Sequence, residues 1–335
     1  MVPALLLILA FSASFDDSFR SGLAELERGD LISARTSLEA ALRLAPDTAG
    51  AGRVWAALSE TYWRLHKDAD AENTADKAAA LAPDDASVLE SLAIYYSETD
   101  QTLKAAQAAA KYSAKVPDKN EIRERAIELY FEAARPLLDR QKFSDAAPIL
   151  EEGAALLPKS AQLELALGVT YFGLRRFDDA ADAFLRSIDI DPESEQPYVF
   201  LGRILDRIPS RLPQATQRFE KYQAAHPASA TGYLLHAEAL DAQAADPELA
   251  LRLLQRSVSI DDSDASAHFE TGSVLDRLQR FADAIAEFER SAQLMPSDPA
   301  PHDRLARDYE RIGKREAAAA EHEKYVQMVE ARESK

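Results

Sequence analysis

The sequence predicts an all-α solenoid, an α-α superhelix built from about nine helix–turn–helix units. Three observations predict it. Two series of small residues recur about every 34 positions, apolar side chains stand at helical spacing around them, and a proline with an acidic or hydroxyl residue closes unit after unit. Composition agrees, since 47% of the 335 residues are hydrophobic and only 29% charged, enough apolar material for an ordered chain. Gly (11) and Pro (16) are sparse, and the dominant Ala, Leu, Glu, Arg and Asp form or cap helices.

Residues 1–14 come first. Leu5 to Phe11 are apolar, Ser12-Ala13-Ser14 are small, and Asp16 and Asp17 follow. This is the pattern of a short secretory signal peptide cut after Ser14, although no Lys or Arg precedes the apolar run. The other reading is a hydrophobic lead-in to the first helix. The run is shorter than the roughly 20 residues a membrane-spanning helix needs, so no integral membrane segment is expected in the mature chain. The expected domain organisation is a leader over 1–14, one repeat array over 15–332 and a tail over 333–335.

Within the array, one small-residue series runs Gly22, Ser59, Ala93, Ala134, Gly168, Gly202, Ala237, Gly272, Ala306. The other runs Ala34, Ala71, Ala105, Ala146, Ala180, Ala215, Ala250, Ala284, Ala318, each 12 or 13 residues after its partner. Two helices crossing closely need a small side chain at the contact, and the first series marks it. Trp55, Leu58 and Tyr62, or Leu167 and Tyr171, give the first helix of a unit its apolar face; Ala180, Phe184 and Ile188 do so for the second. Pro46-Asp47, Pro83-Asp84, Pro117-Asp118, Pro192-Glu193 and Pro296-Ser297 are expected to stop one helix and cap the next. One hairpin cannot bury both of its faces, whereas a stack can.

Two irregularities stand out. A step of 41 between Ala93 and Ala134 adds seven residues around Lys119 to Arg125, which should lengthen one helix by about two turns. Pro136 falls in the same unit where helix interior is expected and should kink or end the helix.

A net charge of −18 without a basic run argues against nucleic-acid partners, because phosphate backbones repel such a chain. The absence of cysteine excludes disulfides and thiolate chemistry. His66, His226, His236, His268, His302 and His322 show no metal-ligand spacing, and no phosphate loop or G-x-S-x-G is present. No cofactor or metal is expected, and no acid–base pair rises above the general abundance of carboxylates.

Trp55, Leu58, Ser59, Tyr62, Ala71, Ala75 and Pro83 follow the pattern W-x₂-L-G-x₂-Y, A-x₃-F, P; so do Leu167, Gly168, Tyr171, Ala180, Phe184 and Pro192, and Gly272, Ala284, Phe288 and Pro296. The chain therefore resembles the tetratricopeptide-repeat family over nearly its whole length, its rival being a related solenoid of 34-to-36-residue helical pairs. The resemblance implies a right-handed superhelix that acts as a non-catalytic scaffold, binding a protein or peptide in a groove lined by the first helices. Carried onto this chain, the groove-facing candidates are Trp63, Phe131, Arg135, Phe172, Arg203, Asp206, Arg207, Phe269, Asp276, Arg304 and Arg307. Phe131, Phe172 and Phe269 serve equally well as core, and the arginines as solvated ion pairs. The family mode that grips a C-terminal carboxylate with asparagines is not expected, because Asn73 and Asn120 fall off these positions. A bacterial periplasmic or secreted scaffold in an envelope assembly is the first expectation. A cytoplasmic adaptor is the second, and a small-molecule binder or enzyme using groove carboxylates a remote third.

Overall fold

The computed structural model describes residues 14–44 and 49–333. The expected leader, apart from Ser14, and the Pro46-Asp47 stop lie outside the described residues. Among the described residues there are eighteen α-helices and one 3-10 turn, and no strand. The chain divides after Pro158 into two compact units.

In the first unit, α1 (Phe15–Glu27) pairs with α2 (Leu31–Leu44), and α3 (Ala49–Arg64) with α4 (Asp68–Leu81). Next, α5 (Ala86–Glu98) pairs with α6 (Thr102–Lys115), and α7 (Asn120–Leu138) with α8 (Phe143–Leu156). The second unit continues with α9 (Ala161–Gly173), α10 (Phe177–Ile190), α11 (Gln196–Gly202), α12 (Leu212–Ala225) and α13 (Ala230–Ala242). It ends with α14 (Pro247–Ile260), α15 (Ala265–Arg277), α16 (Phe281–Leu294), α17 (Ala300–Arg311) and α18 (Arg315–Glu333).

The two small-residue series lie where the hairpins close. From Ala34 to Ala284, every alanine of the second series has no exposed surface. Three glycines of the first series, Gly22, Gly168 and Gly272, face the residue four beyond their paired alanine. A Cβ built on Gly168 would stand 2.5 Å from the Phe184 ring, one on Gly272 2.7 Å from Phe288, and one on Gly22 2.6 Å from Leu38. The A-x₃-F spacing thus sets a large side chain into the notch its small partner leaves, and full burial of such a side chain stabilises by about 1.5–3 kcal/mol.

Each turn follows one rule. Gly29, His66, Asp100, Gln141, Arg175, Ala244, Gln279 and Gly313, each seven residues past a small position, have φ between 50° and 79°. These left-handed residues reverse the chain between first and second helix. In the sixth hairpin the seventh residue past Gly202 is Pro209, whose ring fixes φ near −65° and forbids that turn. There the first helix, α11, stops after seven residues, and a 3-10 turn at Leu205–Arg207 carries the chain to α12. An extra residue is not the cause: the hairpin α13–α14 has the same 13-residue spacing, yet keeps its left-handed Ala244 and a 13-residue α13. Ile204 and Ile208, both fully buried, fix the irregular segment in the core.

The expected lengthening is present, because α7 has 19 residues where α5 has 13. Pro136 lies in the last turn of α7, which ends two residues later instead of breaking mid-helix. The capping expectation needs correction. Asp84, Asp118, Glu193 and Ser297 are not the N-caps; where a side chain caps the next helix it stands two residues after the proline. Asp85 accepts from the Ser87 and Val88 N–H groups, Ser160 from Leu163 and Ser229 from Gly232. The intervening residue completes the turn out of the preceding helix before the cap can adopt its extended backbone.

Candidate functional site

The early end of α11 leaves space on the face formed by first helices of the second unit. A cavity of about 530 Å³ opens there. Its walls are Val199, Gly202, Arg203, Leu205 and Asp206 from the interrupted segment, Leu234, Leu235, Glu238 and Asp241 from α13, and Asp264, Ser266 and Glu270 from α15 and its cap. Every wall element is a first helix or its immediate continuation, and the volume falls in the range of ligand pockets, roughly 300–1,000 Å³.

The floor is acidic. The Glu238 carboxyl points toward Gly202, its Oε2 3.7 Å from where a Cβ on that glycine would stand. Burial pushes Glu238 up to about 8, and the charges of Glu270 and Asp264 add to the effect. Glu270 is also raised by burial, while Arg304 pulls it back. Asp264 is occupied as the N-cap of α15, Asp241 pairs with Arg277, and Asp206 with Arg207 at 2.8 Å. Arg203 lies over the Phe200 ring, 5.4 Å from its centre.

Of the residues expected on the groove, Arg203 and Asp206 line this cavity, and Arg304 acts on its Glu270. Arg207 does not line it and rests over Phe177, whose ring meets the exposed Phe172 edge-on at 6.0 Å. Phe269 packs into the core against Phe288, at 5.5 Å between ring centres. Asp276 is taken up by Arg311, which also holds the buried Asp308 at 2.9 Å; burial, and then the Asp276 charge, raise Asp308 to about 6. Arg307 pairs with Asp303 at 2.9 Å and lines a separate cavity between α17 and α18. Trp63 and Phe131, half-buried, and Arg135, exposed, belong to the first unit and take no part in the cavity.

Glu238 and Glu270 were missed from sequence. Glu238 stands one residue after Ala237, the same register that marks Arg203 after Gly202, so the signal was present. Glu270 stands two before Gly272 and had none. The histidines serve the frame: His268 is buried against Glu287 at 2.7 Å, and His302 meets Glu321 at 2.5 Å. Among the described residues no group of His, Cys, Asp or Glu is arranged to hold a metal ion, and no helix is long and apolar enough to cross a membrane.

A family model described as tetratricopeptide repeat matches residues 131–195 and 241–299. The unmatched stretch between them contains the hairpin that Pro209 interrupts. No curated protein matches the chain significantly. Among solved structures, residues 41 to the end of MamA from Desulfovibrio magneticus RS-1 are 22% identical, with 51% of this chain and 96% of that one covered at a TM-score of 0.43. A thermophilic TPR protein of Thermus thermophilus is 25% identical over 50% of this chain and 91% of its own, at 0.43. PilW, a widely conserved type IV pilus biogenesis factor, is 19% identical over 58% of this chain and 89% of its own, at 0.49. With paired helices, small-to-large packing at the repeat's own spacing and two matches to the repeat itself, residues 131–195 and 241–299 are tetratricopeptide repeats within an all-α repeat solenoid.

Proposed function

We propose that this protein is a non-catalytic interaction scaffold that holds a peptide or protein segment along the first helices of its second unit. One observation carries the reading: the cavity at the interrupted hairpin is walled by three successive first helices and presents both charge and apolar surface. Phe172, 39% exposed, with Arg203 and Arg207, supplies the aromatic and guanidinium groups that anchor interfaces most often. Changing Arg203, Arg207, Arg304 and Arg307 together to Ala should abolish capture of a partner identified by affinity purification and mass spectrometry. Helicity should stay the same, and melting should fall little, because exposed pairs such as Arg307–Asp303 contribute about 0–1 kcal/mol. A large fall in melting temperature would mark these arginines as structural instead.

We also propose that the chain is exported and works in a bacterial envelope assembly. The apolar run before Ser12-Ala13-Ser14 supports this. Ser14 caps α1 by accepting the Asp17 N–H at 3.2 Å, so cleavage after it would cost the first hairpin about 1 kcal/mol. N-terminal sequencing of the protein from cells decides the matter: Phe15 as first residue supports export, and an intact leader removes it.

A further inference from the structure

The cavity beside Gly202 holds two carboxyl groups that the protein itself leaves without a partner. Asp264, Asp241 and Asp206 are each satisfied, by helix N–H groups, by Arg277 and by Arg207. Glu238 and Glu270 have neither a hydrogen bond nor an ion pair among the described residues, although both are deeply desolvated. Glu238 is recessed, and its remaining exposed surface opens into the cavity. The nearby cations do not fill the gap: Arg203 lies on Phe200, and Arg304 reaches Glu270 only through space.

An apolar occupant would seal two carboxyl groups away from water unpaired, and an anion would be repelled; a cation satisfies both. We propose that the cavity is the seat of a lysine or arginine side chain of a bound peptide, held between the carboxylates of Glu238 and Glu270. This rests on the peptide-binding reading of the same face and adds to it the chemistry of the anchoring residue. Entry of the cation favours ionised Glu238, so binding at neutral pH expels the proton that the empty cavity retains. The groups facing Glu238 are Glu270 and Asp264 of α15 and its cap, Asp241 of its own helix, and Arg203 and Asp206 of the interrupted segment. Asp241 and Asp206 carry their own arginines, so the proton is assigned to Glu238. Affinity should therefore rise with pH, by nearly tenfold from pH 6 to 7 and about fivefold from pH 7 to 8.

The experiment is selection of a random dodecapeptide display library on the full chain at pH 8, followed by affinity measurements on one synthesised binder. The selected peptides should share a Lys or Arg. Replacing that residue by Gln should weaken binding to the unaltered protein at least about tenfold. The isosteric Glu238→Gln should weaken the parent peptide similarly and remove the pH dependence, with Glu270→Gln intermediate. Peptides without a common basic residue, or a basic residue that binds Glu238→Gln as tightly as the unaltered protein, would overturn the cationic seat while leaving peptide binding intact. A folded chain that selects no peptide would remove the peptide-binding reading and this inference together.

Discussion

The hairpin α9–α10 and its successor α11–α12 start from the same register and end in different structures. Both carry a glycine of the first series, Gly168 and Gly202, and both bury a phenylalanine completely from the second helix, Phe184 and Phe219. In the first, the glycine is pressed against the phenylalanine ring, and Arg175 turns the chain at φ 57°. In the second, Pro209 occupies the turn position, the first helix stops at Gly202, and α11 packs mainly on α10 and α13. One imino acid separates a hairpin whose interior is filled from one that leaves a lined cavity. Binding surface here arises from a local failure of the repeat, held open by a core that does not fail.

The largest effect should come from the feature the two hairpins share. Phe184→Ala and Phe219→Ala each empty a fully buried site, and each should lower stability by about 3–5 kcal/mol, read as loss of the denaturation midpoint. If only Phe184→Ala destabilises strongly, the second hairpin does not depend on its own core and the comparison is wrong at its base.

The glycines should part company next. In Gly168→Ala the new Cβ meets the ring of Phe184 at 2.5 Å, and a ring locked in the core cannot move aside. Overpacking of this kind costs about 1–3 kcal/mol. In Gly202→Ala the nearest atom, also 2.5 Å away, is the far end of the flexible Leu235 side chain, which lines the cavity. Less than about 1 kcal/mol should be lost there. Equal losses in the two variants would mean that the cavity wall is as rigid as the packed hairpin.

A smaller effect isolates the acidic floor. A carboxyl whose folded-state value is raised to about 8 destabilises the fold above the ordinary Glu range, because the unfolded chain ionises it freely while the folded one resists. The penalty is absent below about pH 4, grows as pH rises, and is complete above pH 8. Glu238→Gln removes it. The variant should match the unaltered protein at pH 4 and gain on it steadily up to pH 8, read as a growing difference in melting temperature. A gain at pH 4 as large as that at pH 8 would assign the effect to packing and not to charge.

How much of this was legible follows from where the information lies. The fold was readable because the small-to-large contact recurs; Gly168 with Phe184 and Gly272 with Phe288 announce their partners by spacing alone. Arg203 and Asp206 were readable for the same reason. Glu238 shared their register but was lost among 57 acidic residues, since its distinction is depth, which sequence does not carry. The irregularity that drew notice was the one around Pro136, yet that proline sits harmlessly in the last turn of α7. Pro209 mattered more because it occupies the one position of the repeat that requires positive φ. The rule it breaks is visible only once the other turns have been seen.

Pro209 itself gives the subtlest test. Pro209→Gly restores a residue that can adopt the left-handed turn, as Gly29 and Gly313 do elsewhere. If the proline alone interrupts the hairpin, α11 should extend through the 3-10 turn toward Ile208. That would add about one to two turns of helix to the circular dichroism signal and narrow the cavity. Two contacts oppose the change: Ser210 donates to Asp178 at 3.0 Å, and Arg211 grips Asp182 at 2.6 and 2.9 Å, tying the loop to α10. The expected net change in stability is therefore small, within about 1 kcal/mol, even where the structural change is clear. Unaltered helicity in Pro209→Gly, together with increased helicity when Ser210 and Arg211 are also changed to Ala, would move the cause from the proline ring to these tethers. Unaltered helicity in both would show that buried Ile204 and Ile208 hold the segment by themselves, and that the cavity belongs to the core's design and not to the turn.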